Sequence, residues 1–195
     1  MYPSIKPTRK SGEEALLSPD GMQISSLADF WQWAYSDLIS NAERGALAEY
    51  IVACALGVNN TTRTSWDKYD LLSKKGVAVE VKTSGYLQTW EQKELSKLVF
   101  GIQPTYGWDS QTNTYDTVQQ RQSDIYVFCV HKHQDQETID PLQLTQWDFY
   151  LMPTKQLNEK FGSQKTVSLS VLQKAGAELC SYDQLCTRIH TLAGK

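Results

Sequence analysis

Residues 77–90 read "VAVEVKTSGYLQTW", and the part of this stretch up to Ser84 decides the fold. Strict alternation puts Val77, Val79 and Val81 on one face of a strand and Ala78, Glu80 and Lys82 on the other. One face is therefore built for a core, while the other carries two opposite charges spaced two apart. A pair of charges on a half-exposed strand is ordinarily a solvated ion pair. The neighbouring sequence offers a second explanation. Upstream, "RTSWDKYDLLS" (63–73) and "GVAVEVKTS" (76–84) read as two strands of a hairpin turning at "KKG" (74–76). In that hairpin Asp70 comes to the level of Glu80 or Lys82, so two carboxylates and an ammonium converge across adjacent strands.

Ahead of the hairpin, "AERGALAEYIVACAL" (42–56) reads as a helix, with Ser40-Asn41 as its N-cap and Gly57 as the residue that ends it. At 100° per residue Leu47, Tyr50 and Cys54 share one face. Glu49, the only charge between Arg44 and the helix end, falls among Ala42, Gly45, Ala46 and Ala53. Small residues there let the helix back closely onto a neighbour. A carboxylate in a helix apolar almost all round needs a cation or donors nearby, and pairing with an Arg or Lys is its ordinary fate. Glu43, in the first turn, suits a dipole role better, and Asp67 sits further from the level of Glu80 than Asp70 does. Hard divalent cations such as Mg²⁺ take oxygen ligands. Asp70, Glu80 and the main-chain carbonyl of Val81 supply a partial set, with water and a phosphate oxygen for the rest. Lys82 beside them is suited to orient or help deprotonate an attacking water and to stabilise developing charge. Glu49 is suited to complete the site directly or through a water.

The succession "GALAEYIVACALG", "WDKYDLL" and "VAVEVKTS" resembles the core of the PD-(D/E)xK nuclease superfamily, the fold of restriction endonucleases and Holliday-junction resolvases. The resemblance covers roughly residues 41–90, and "DIYVFCV" (124–130) fits as the next core strand. It implies an α/β fold, a restriction endonuclease-like mixed central β-sheet flanked by helices. It also implies Glu49 from the first core helix and Asp70, Glu80 and Lys82 from the hairpin as catalytic residues, with Mg²⁺ or Mn²⁺ as cofactor. The substrate class it implies is nucleic acid, DNA ahead of RNA, and a homodimer fits by resemblance. Polar residues shortly after the Lys, here Thr83, Ser84 and Gln88, are candidates for substrate binding. The sequence departs from the pattern at the proline, since Tyr69 stands before Asp70. The function implied is a metal-dependent endonuclease of restriction, repair or resolvase type. The alternative is a catalytically inactive nucleic-acid- or protein-binding module of the same fold.

The rest of the chain gives weaker signals. Of its 195 residues 41% are hydrophobic and 21% charged, with a formal net charge of −3, the balance of a soluble domain able to bury a core. That charge argues against binding through a broad basic patch, although metal-binding carboxylates themselves pull the balance negative. Residues 1–24, rich in Pro, Gly, Ser and charge, are expected as an extended arm, and 25–195 as a single domain. The N-terminal region has no apolar signal segment, no apolar run approaches a membrane span, and Cys54, Cys129, Cys180 and Cys186 form no Cys-x-x-Cys pair. A reducing cytoplasm is the expected setting. Ser26 with Asp29 resembles a capping box opening a helix over 25–39 whose stripe is Phe30, Trp33, Ala34 and Leu38. "LQTWEQKELSKLVF" (87–100) reads as a helix, 101–122 as a long loop, "SDIYVFCVHKH" (123–133) and "WDFYLMP" (147–153) as strands. "TKQLNEKF" (154–161) reads as a short helix, "KTVSLS" (165–170) as a short strand and "SYDQLCTRIHTLA" (181–193) as a closing helix. Arg121 is a candidate phosphate clamp at the sheet edge, and Trp90, Tyr106, Trp108 and Tyr115 flank the long loop as candidate stacking residues. His131, His133 and Asp135 read as a polar strand exit, and Lys155, Lys160, Lys165 and Lys174 as a solvated face.

Overall fold

The computed structural model describes residues 5, 7–63, 68–109 and 114–195. In chain order the elements are β1 (Ala15–Leu17), β2 (Gln23–Ser26), α1 (Leu27–Tyr35), α2 (Asn41–Leu56), β3 (Leu71–Leu72), β4 (Ala78–Gly85), β5 (Val99–Gly101) and β6 (Trp108–Asp109). They continue with β7 (Thr114–Tyr115), β8 (Ile125–His131), β9 (Trp147–Pro153), α3 (Thr154–Phe161), β10 (Thr166–Ser168), α4 (Leu169–Lys174), β11 (Glu178–Cys180) and α5 (Leu185–Leu192). A five-stranded sheet in the order β11-β9-β8-β4-β3 organises them. Its β4–β8 pair is parallel and its other pairs are antiparallel, so the sheet is mixed and the fold α/β.

Period-two alternation sorts the sheet into two cores. Val77, Val79 and Val81 join Ile125, Val127, Cys129, Phe149 and Leu151 under Ala48, Ile51, Val52 and Leu56 of α2 and Leu185 and Ile189 of α5. On the opposite face Tyr126, Phe128, Tyr150 and Met152 pack against Phe100, Ile102, Val167, Leu157 and Leu172. All seven residues of β8 are buried, as a strand covered on both faces requires. Cys129 is one of them and packs as a small hydrophobe. Among the described residues, no helix is long and apolar enough to cross a membrane.

The helix ends match their sequence signals. Ser26 and Asp29 form a reciprocal capping box on α1, and Ser40 caps α2 while its hydroxyl donates to Glu43. Gly57 takes the left-handed conformation at φ 64°, and the Val58 N–H closes onto the Ala53 carbonyl at 3.0 Å. The stripe of α1 is a different matter. None of its residues is buried, and Trp33 is 85% exposed. The buried face of α2 is set by Arg44, Ala48, Ile51, Val52, Ala53 and Leu56, with Tyr50 turned to solvent.

Three expected elements change character. Residues 87–100 do not form a helix. Gln88 N–H donates to Gln92 Oε1 at 2.7 Å, Gln92 Nε2 to the Tyr86 carbonyl at 3.1 Å and Ser96 N–H to that same carbonyl at 2.9 Å. These side-chain bonds satisfy the backbone locally, and beyond them Leu98, Phe100 and Ile102 alternate into the second core with β5 as the strand. The loop over 101–122 carries the β6–β7 hairpin and an isolated bridge between Thr105 and Gln120. In the N-terminal arm, β1 pairs antiparallel with β2. Two short elements, α4 and β11, had no signal in the sequence pattern.

Candidate active site

The turn at Ser73–Gly76 aligns the site. The Gly76 N–H bonds the Ser73 carbonyl at 2.9 Å, the Ser73 N–H the Val77 carbonyl at 2.9 Å, and the Val77 N–H the Ser73 hydroxyl at 3.0 Å. Gly76 sits at φ 72°, a conformation that disfavours any side chain. This turn pairs Leu71 with Val79 and Leu72 with Ala78. Asp70 is thereby held just before β3, its N–H on the Val79 carbonyl at 3.1 Å and its Oδ2 accepting from the Val81 N–H at 2.7 Å. The Asp70 backbone is thus bonded at Val79, next to the Leu71–Val79 pair, while its carboxylate reaches the Val81 N–H between Glu80 and Lys82.

Glu80 and Lys82 leave β4 on the face opposite α2, where their partners across the parallel pair are Tyr126 and Phe128. Lys82 Nζ lies 2.6 Å from Glu80 Oε1. Asp70, Glu80, Lys82, Tyr126, Gln103 and Lys165 line one cleft of about 480 Å³. The cleft continues into an open groove of about 780 Å³ along Tyr106 and Tyr115, the two sharing Gln103, Thr105 and Lys165.

Glu49 approaches from the other side of the sheet edge. Gly45, a turn earlier on α2, faces Thr83, and a Cβ there would stand 3.9 Å from Thr83 Cγ2, an ordinary contact, so the approach of α2 to β4 at this point does not require glycine. Glu49 is clamped by Arg63, Nε to Oε2 at 2.5 Å and Nη2 to Oε1 at 2.7 Å. Glu49, Arg63 and Asp70 line a second pocket of about 290 Å³, and Asp70 is the residue where the two clefts meet. β3 is two residues long, and Asp70 stands just before it.

The electrostatics converge on Asp70. Burial, then the neighbouring Glu80, push its carboxyl up to about 7, with Glu49 adding to the rise and the Val81 N–H and Lys82 opposing it. Glu80 has Lys82 and Glu49 has Arg63, whereas Asp70 has a backbone donor. Buried Tyr126 is raised well above the ordinary phenol value, by burial first and then by Glu80, and stays neutral beside it. Among the described residues no three His, Cys, Asp or Glu side chains form a ready-made cation cage. The oxygens available are those of Asp70 and Glu80, the latter held by an ammonium. The sequence pattern that defines bacteriophage T4 endonuclease IV matches residues 26–171, a span containing Glu49, Asp70, Glu80 and Lys82. The chain belongs to the bacteriophage T4 endonuclease IV family. No curated protein and no solved structure matches it. Membership in the T4 endonuclease IV family makes it a nuclease, and the cleft around Asp70 is its candidate centre.

The remaining candidates of this endonuclease IV-family chain lie elsewhere. Thr83 faces α2 and Ser84 is buried in β4. Gln88 Nε2 donates to the Gly85 carbonyl and the Ser96 hydroxyl, both at 3.2 Å. Arg121 is buried, giving its guanidinium to the Ile102 carbonyl at 2.7 Å, Asn158 Oδ1 at 2.6 Å and the Gly162 carbonyl at 2.8 Å. None of the four lines the cleft, and Arg121 works as a staple between the loop and α3. Glu43 serves the cap of α2, and Asp67 lies outside the described residues. His131 is buried against Trp147, held neutral because burial pushes it down to about 4. His133 and Asp135 bind Thr138 in the loop beyond, as a polar strand exit does. Arg63, Gln103 and Tyr126 were not signalled as site residues by the sequence, and Lys165 was read only as part of a solvated face. Tyr126 sits in an apolar run, and only the parallel register places it beside Glu80.

Proposed function

We propose that the protein is a metal-dependent endonuclease that hydrolyses phosphodiesters in DNA with a PD-(D/E)xK site. The observation that carries this reading is the Asp70 carboxylate held on the Val81 N–H, in one cleft with Glu80 and Lys82 that opens onto a groove. The donor set is hard oxygen: one Asp70 oxygen is left beside the Val81 N–H bond, Glu80 supplies another, and the Val81 carbonyl leaves the strand on the same edge as its N–H. A carboxyl raised to about 7 among other acids marks a site short of positive charge, which suits a bound divalent cation. When bound there, Mg²⁺ or Mn²⁺ would polarise the phosphate and acidify a water.

The protein's own groups supply the rest. Lys82, which now holds Glu80, would present its ammonium to an attacking water and to charge growing on phosphate oxygen. Glu49, on the other side of Asp70, can accept a hydrogen bond from a water held there. Tyr126 offers a neutral hydroxyl in the cleft wall. Lys165, where cleft and groove join, is placed to contact the backbone of a bound strand.

The test is cleavage of plasmid, single-stranded and branched DNA by purified protein with Mg²⁺ or with EDTA, alongside Lys82→Ala. Equal trace activity in wild type and Lys82→Ala would sink the assignment. A separate readout is thermal: at mildly alkaline pH, Mg²⁺ should raise the melting temperature of wild type and leave that of Asp70→Asn unchanged.

A further inference from the structure

The second pocket holds an ion pair whose two ends are unequal. Arg63 is 55% exposed at its side chain, while Glu49 is 14% exposed. Breaking the pair toward solvent therefore costs the guanidinium little and the carboxylate much. Arg63 follows the C-cap of α2 in a segment without helix or strand. Among the described residues its Nη1 has no partner, while Nε and Nη2 hold Glu49 side by side. A two-pronged guanidinium fork fits a phosphate as well as it fits a carboxylate.

The charges around Asp70 give this fork a task. Glu49, Asp70 and Glu80 crowd the site, and Lys82 and Arg63 are each engaged with one of them. A DNA phosphate approaching three acids needs a cation that is exposed, mobile and near the mouth. Lys82 is the less accessible of the two, at 32% exposure. Arg9, in the same pocket, reaches the Asn59 carbonyl at 3.3 Å, while Arg63 there is paired with Glu49.

We propose, resting on the nuclease reading above, that Arg63 is a phosphate-binding residue masked by Glu49 in the free protein. An arriving DNA phosphate takes over the guanidinium fork, and Glu49 is released beside Asp70. Substrate binding and the arming of Glu49 are then one event. The pair keeps the buried carboxylate neutralised until a phosphate is there to replace it.

The experiment is a double-mutant cycle read by equilibrium binding, with EDTA present so that no metal or cleavage enters. Short fluorescent DNA, single-stranded and duplex, is titrated with the full chain over a range of salt. Glu49→Gln should bind more tightly than wild type, because the competitor for Arg63 is gone. Adding Arg63→Ala to Glu49→Gln should cost roughly tenfold to a hundredfold in affinity and make the salt slope shallower by about one phosphate contact. The same change in the wild-type background should cost less, since there Arg63 must first leave Glu49. Arg63→Lys in the Glu49→Gln background keeps the charge without the fork and should fall between. A guanidinium that only neutralises Glu49 gives the reverse, a loss in the wild-type background that vanishes once Glu49 is Gln, and that result overturns the proposal. Should wild type cleave DNA while the cycle is flat, this inference alone fails. Should wild type neither bind nor cleave DNA, the reading of the site fails with it.

Discussion

Asp70 is held well above the ordinary carboxylate range, and its stability signature follows from the sign of its shift. Its carboxyl is raised from the ordinary 3.8 to about 7, so the folded protein holds this proton more tightly than the unfolded chain does. The proton-linked contribution is full below the unfolded value and is lost as pH rises through about 7. Wild type without metal should therefore melt at progressively lower temperature from about pH 4 to about pH 7. Asp70→Asn should remove that dependence over the same window and be the more stable protein at the alkaline end, by up to a few kcal/mol. A calorimetric pH series on both proteins checks this, and parallel curves would show that Asp70 ionises normally. The cost at Asp70 has the form expected of a functional site, where local stability is given up for chemistry. Lys82→Ala is expected to lower cleavage by about 10² to 10⁴, measured as single-turnover rate at saturating DNA, with circular dichroism unchanged.

The β3–β4 hairpin is the element that turns sequence spacing into geometry. Its turn was legible, because Lys-Lys-Gly between two apolar alternations has one economical reading, and Gly76 at φ 72° explains why a glycine stands there. Gly76→Ala should cost about 1–2 kcal/mol of stability through left-handed strain. It should lower kcat more than the melting shift alone accounts for, because the Asp70 carboxylate loses its place on the Val81 N–H. Unchanged kcat in a destabilised Gly76→Ala would show that the register tolerates a different turn. The segment over 87–100 was misread for a physical reason visible in its residues. Glu91, Lys93, Glu94 and Leu95 all favour helix, but Gln88 and Gln92 close a local loop and the sheet claims Leu98 and Phe100. Tertiary burial outweighed propensity there.

Across the whole molecule, the sheet separates the acids by face and Asp70, just before β3, reunites them. Glu80 and Lys82 stand on one face, α2 covers the other, and among the described residues the two clefts share a wall at Asp70. The β5–β10 pair that walls the main cleft is tied to α3 by Arg121, whose guanidinium bridges Ile102, Asn158 and Gly162. Arg121→Ala takes this donor from the buried Ile102 carbonyl and removes the ties to Asn158 and Gly162, and should cost on the order of 1–3 kcal/mol. Its KM for DNA should stay at the wild-type value at temperatures below melting, as measured by steady-state cleavage. A raised KM with an unchanged melting temperature would instead assign Arg121 to substrate.

What the sequence by itself determined was local and periodic. The caps of α1 and α2, the buried valines of β4, the doubly covered β8 and the level of Asp70 against β4 all follow from residue type and spacing over a few positions. Those quantities depend on backbone sterics and on one strand's alternation, which sequence carries directly. The tertiary structure alone decided which residues met across long separations. It set the parallel β4–β8 register that puts Tyr126 beside Glu80, the β5–β10 pairing that brings Lys165 to the cleft, and the seating of Arg63 on Glu49. It also decided that Arg121 would turn inward. Such contacts are fixed by the packing of two cores against one sheet, and no local pattern encodes them.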